Sequence, residues 1–80
     1  MSMQDKTEAV EALKLKILSK REEWRRVRAL RLNKKDEFLK IGLEITEIRK
    51  DKEYKELQRQ QKRLSKEIRH LEKKLNRFFH

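Results

Sequence analysis

The sequence predicts an all-α protein, a small antiparallel helical bundle, and three observations carry that expectation. Helix breakers are scarce, with one Gly and no Pro in 80 residues. Apolar residues recur at spacings of three, four and seven, the period of a single helix face. Leu, Ile, Val and Phe together number 21 of the 80 residues. That is about a quarter, above the roughly 20% at which a highly charged chain defaults to disorder.

Size and composition narrow the class. Eighty residues make one domain at most, here 1–80, and a core this small usually needs idealised packing or a second copy. There is no Cys, hence no disulfide and no thiolate metal site, which fits a reducing compartment. The longest apolar runs are two residues and the N-terminus has no apolar signal region. The expectation is a cytoplasmic protein that does not enter a membrane.

The elements follow in order. Met1 to Gln4 is expected to fray. Asp5 with Glu8 resembles a capping box and opens a helix over about 5–32, with Val10, Leu13, Ile17, Trp24 and Val27 on one face and Lys20 interrupting it. Arg28 and Arg31 suit a C-terminal turn, and Asn33 to Asp36 repeats the cap spacing, so a turn is expected there. A second helix over about 34–50 carries Phe38, Ile41, Ile45 and Ile48, with Gly42 inside it at a cost of about 1 kcal/mol. Asp51 then caps a third helix over about 52–79.

The alternative is a helical hairpin in which one long C-terminal helix runs from Lys34 without a break, since Leu39, Leu43, Thr46, Tyr54 and Leu57 continue a single stripe. In the three-helix bundle, helices one and three run parallel and their basic blocks form a pole at one end. In the hairpin, the end of the long helix projects beyond helix one and must pair with another chain.

Residues 54–79 have coiled-coil character. Leu57, Leu64, Leu71 and Phe78 are seven apart; Tyr54, Ile68 and Leu75 share the companion position with Gln61. This seam is the expected oligomer interface, of a homodimer in the first instance. On the opposite side Lys55, Arg59, Lys62, Lys66, Arg69, Lys73 and Arg77 step by three or four with no acid among them. Like charges at that spacing cost a few tenths of a kcal/mol per pair, so the stripe invites a functional explanation.

Net charge is +10, concentrated in residues 20–35 and 59–80, each with eight bases against two acids. Concentrated basicity favours an anionic partner, and phosphate backbone is the natural one. No zinc-finger spacing, RNP motif or GXXG loop is present, and aromatics are too few for stacking on single strands. The expected function is therefore non-enzymatic, self-associating binding of the nucleic-acid backbone, duplex DNA or RNA, with little sequence specificity. The alternative is a protein–protein adaptor or inhibitor whose seam grips another protein.

Trp24 reads as a core anchor. Its spacing with Ile17 and Leu30 in a basic segment also looks like calmodulin targets. No catalytic residue, cofactor or metal is expected. Glu67 and His70 have the helical spacing of metal ligands but flank the positive stripe, and His80 is expected to be mobile.

Overall fold

Val10, Leu13, Ile17, Lys20, Trp24, Val27, Arg31, Lys34 and Phe38 alternate steps of three and four without a break. The chain follows that line in one helix, α1 (Met3–Lys40), in a computed structural model that describes residues 3–79, with side chains from Lys6 onward. The turn expected at Asn33 does not form, and the helix expected over 34–50 is not a unit. A cap is a local preference of about 1 kcal/mol. Asn inside a helix costs only some tenths, while continuing the line seats Lys34 and Phe38 half-buried. Because α1 is helical from Met3, Asp5 stands within the helix rather than at its cap. The side chains of residues 1–5, and all of Met1, Ser2 and His80, lie outside the described residues, and with them the expectations of a frayed start and a mobile His80.

Gly42 ends α1. Its φ of +89° is left-handed backbone that L side chains rarely adopt, and a Cβ there would meet nothing within 4 Å, so conformation rather than crowding requires glycine. Leu43 N–H donates to Phe38 O at 3.0 Å and Gly42 N–H to Leu39 O at 3.1 Å. This six-to-one and five-to-two pattern is a Schellman cap, which satisfies carbonyls the helix end would leave open. Gly42 is thus a terminator and not an interior defect.

A short helix α2 (Ile45–Lys50) follows and turns Ile48 into the interior. Ile41 and Ile45, expected on a buried face with it, are exposed at the tip. Asp51 is extended and caps α3 (Lys52–Asn76), its Oδ2 accepting from Tyr54 N–H at 2.9 Å. A 3₁₀ turn (Arg77–Phe79) closes the described chain.

α1 and α3 are antiparallel: Arg21 meets Glu72, Trp24 meets Ser65 and Arg31 meets Tyr54, one number rising as the other falls. The parallel arrangement and its basic pole are therefore absent, and the long helix of the hairpin is the N-terminal one. The Cα extents are 60 × 17 × 15 Å, and the 38 residues of α1 account for about 57 Å of the length at 1.5 Å each. Among the described residues, Ile17, Ile48, Tyr54 and Leu64 are the buried apolar ones. Two helices can enclose little more, which is why so thin a core leans on polar pairs along its seam. Among the described residues, no helix is long and apolar enough to cross a membrane.

Candidate nucleic-acid interface

The α3 seam lies against α1 of the same chain. Tyr54 and Leu64 are buried, and Leu57, Gln61, Ile68, Leu71, Leu75 and Phe78 are half-buried. Burial of these residues thus needs no second chain. Opposite them, three bases occupy seam positions of α1, and each has a partner from α3. Lys20 Nζ lies 2.9 Å from Glu67 Oε2 and 3.9 Å from Glu23. Arg31 Nη1 donates to the Tyr54 hydroxyl at 3.2 Å, with the guanidinium 6.0 Å over the ring. Lys34 pairs with Glu53 and has Asp51 at 3.8 Å. The hydrogen bond that Lys20 donates to Glu67, then the carboxylate's charge, holds the Lys20 ammonium above the ordinary lysine value of 10.5; the hydrogen bond to Glu53 does the same for Lys34 against opposing burial. Polar groups at such positions fix the register and direction of helix pairs.

The basic stripe faces solvent. Lys55, Arg59, Lys62, Lys66, Arg69, Lys73 and Arg77 are all exposed. Arg59 has Glu56 at 3.5 Å; among the described residues the others form no ion pair. Their separation from Lys55 to Arg77 spans about 33 Å of helix.

The antiparallel register adds a second set of bases that the sequence alone did not bring to the site. Lys14, Arg21, Arg28 and Lys35 are seven apart and flank the α1 seam on the side where α3 presents Gln58, Ser65 and Glu72. Two adjoining hollows lie there, sharing Ser65 and Arg69. One, of about 330 Å³, is lined by Arg21, Trp24, Arg25, Ile68 and Glu72 as well. The other, of about 430 Å³, adds Arg31, Gln58, Gln61, Lys62 and Lys66. Trp24 is both seam residue and groove floor: its indole N–H donates to Ser65 Oγ at 2.9 Å, and the Arg28 guanidinium sits 5.6 Å above its ring. Arg21 is bound to Glu72 at 2.8 Å. Arg25, Lys62, Lys66 and Arg69 form no ion pair among the described residues. The spacing of seven in Lys14, Arg21, Arg28 and Lys35 was visible in the sequence; which helix it would face was not.

The other side of the hairpin is different. Lys16, Ser19, Lys20, Glu67, His70 and Leu71 line its hollow, and Glu23, Glu53 and Glu67 reach bases across or along the seam. Glu67 is committed to Lys20, and His70 is exposed. Compared with protein-family models, curated proteins and solved structures, the chain finds no match.

Proposed function

We propose that the hairpin is a non-enzymatic protein that lays its cationic face across the phosphate backbone of duplex DNA or RNA, with little preference for sequence. One observation carries the reading: bases from both helices converge on one long face where Glu72, held by Arg21, is the acid at the seam, and Lys62, Lys66 and Arg69 have no acidic partner among the described residues. Unpaired bases in line cost stability in the free protein and release counterions on contact with phosphate. Two helices side by side, each about 10–12 Å across, are wider than the roughly 12 Å major groove, so the face rests on the backbone rather than entering to read bases. Trp24 has its N–H engaged by Ser65 and its ring covered by Arg28, so it offers little for stacking on bases.

The adaptor alternative needs a free α3 seam, and α1 would have to swing away to expose it. Titration of labelled duplex at several salt concentrations tests the proposal. Log affinity should fall with log salt at a slope of about −4 to −6, as for roughly five to seven neutralised phosphates, and scrambling the duplex sequence should change little. No measurable binding at about 50 mM salt would overturn it.

A further inference from the structure

The outer face of α1 carries a second helical seam that none of the described residues covers. Leu15, Leu18, Glu22, Arg25, Ala29 and Leu32 alternate steps of three and four, and all six are exposed. The leucines are 68%, 56% and 38% exposed in chain order, large values for apolar side chains where four are buried among the described residues. This line lies roughly 150° around α1 from the line of Ile17 and Trp24 that meets α3.

The line is self-complementary when reversed. Laid antiparallel on its own copy about a point between Glu23 and Trp24, Leu15 meets the second copy's Leu32, Leu18 meets Ala29 and Glu22 meets Arg25. Each contact occurs twice, as a two-fold requires. Neither Glu22 nor Arg25 has an ion-pair partner within the chain among the described residues, so each is free for the other. Beyond this stretch Glu11 would face the second copy's Asp36, two acids, and the seam stops there. The remaining length, 18 residues or about 26 Å, is that of an ordinary helix–helix contact.

We infer that two hairpins associate through the outer face of α1, antiparallel and in this register. The consequence for the candidate site follows from symmetry. The two seams of α1 are nearly opposite, so the four helices form a flat layer with the two α1 helices in the middle. An antiparallel pair is related by a two-fold axis perpendicular to that layer, and such an axis leaves a face on the side it started from. Both rows of Lys14, Arg21, Arg28 and Lys35 therefore point the same way, making one cationic surface roughly 35–40 Å wide at 8–10 Å between helices. A parallel pair would put them on opposite sides. The dimer rests on the leucines and the Glu22–Arg25 pair; only this consequence rests on the proposed function.

Sedimentation equilibrium tests the dimer without nucleic acid. Wild type at high micromolar concentration should have the mass of two 10.0 kDa chains. Glu22→Arg and Arg25→Glu should each be monomeric, since each sets like charges face to face, and should keep wild-type helix content because both residues are exposed. Mixed in equal amounts they should associate again, because the mixed pair restores both opposite-charge contacts. The chain has no Cys, so disulfide trapping reports direction: Leu18→Cys should cross-link with Ala29→Cys and not with itself. A monomeric wild type, dimeric single variants, failure of the mixture to associate, or Leu18→Cys cross-linking to itself would overturn the inference.

Discussion

The two long faces of the hairpin use their bases differently. On the Lys20 side, the bases at the seam meet acids: Lys20 with Glu67, Lys34 with Glu53 and Asp51. On the Arg28 side, the acid of the groove, Glu72, is held by Arg21, and Lys62, Lys66 and Arg69 have no counter-charge among the described residues. The first arrangement fixes how α1 and α3 register. In the second, the Arg21–Glu72 pair joins the helices, and the bases left unpaired cost some repulsion. A high net charge thus conceals two populations of bases, one structural and one available to a partner.

The largest expected effect removes both faces at once. Leu64 is buried where the helices meet, 5% exposed. Truncating a buried Leu costs about 2–5 kcal/mol, and Leu64→Lys adds an uncompensated charge. In so thin a core that should unfold the hairpin, read as loss of helical circular dichroism at 25 °C. A variant as helical as wild type would mean that α3 is stable away from α1.

The turn comes next, because it sets which faces adjoin. Gly42→Ala should lower stability by about 1–2 kcal/mol, the cost of left-handed backbone with a Cβ. Asp51→Ala should lower it by about 1 kcal/mol through loss of the bond from Tyr54 N–H. Thermal melts separate these from a continuous helix, in which both alanines would be neutral or stabilising.

The smallest effect is the sharpest comparison of the faces. Glu67→Gln should cost about 0.2–1 kcal/mol, since its pair with Lys20 is partly exposed and screened by salt. Lys66→Gln, on the other face, should be neutral or slightly stabilising in chemical denaturation. The pH dependence follows the same division. Lys20 and Lys34 titrate higher when folded, so the stability they contribute is fully present below 10.5 and lost as pH rises through their folded values. Glu67→Gln should flatten that alkaline loss.

Much of this was legible from local chemistry. The helical class followed from breakers and periodicity, and the Asp51 cap from one side chain three residues ahead of the amide it accepts. Asn33 misled because the same local signal was outweighed by a seam running through it. Gly42 misled in the opposite direction: a Gly two residues after Lys40 is a normal C-terminal signal, but with helix two expected to pass through it, it read as a defect. The α3 stripe was visible because its seven bases lie on one element. The Lys14, Arg21, Arg28 and Lys35 half of the cationic face was not, since only the pairing of helices distant in sequence decides which sides coincide.

The central claim, that location and not total charge makes the interface, is tested by three variants that each reverse three charges and so share one net charge. Two alter the cationic face, Lys62→Glu/Lys66→Glu/Arg69→Glu on α3 and Lys14→Glu/Arg28→Glu/Lys35→Glu on α1. The third, Lys16→Glu/Arg26→Glu/Lys74→Glu, alters exposed bases away from it. With helicity confirmed by circular dichroism, duplex affinity at fixed low salt should fall at least about 100-fold for either of the first two and less than about tenfold for the third, since lost phosphate contacts weigh far more than the shared change in net charge. Equal losses in all three would contradict the account and leave the bases as a diffuse field with no binding face.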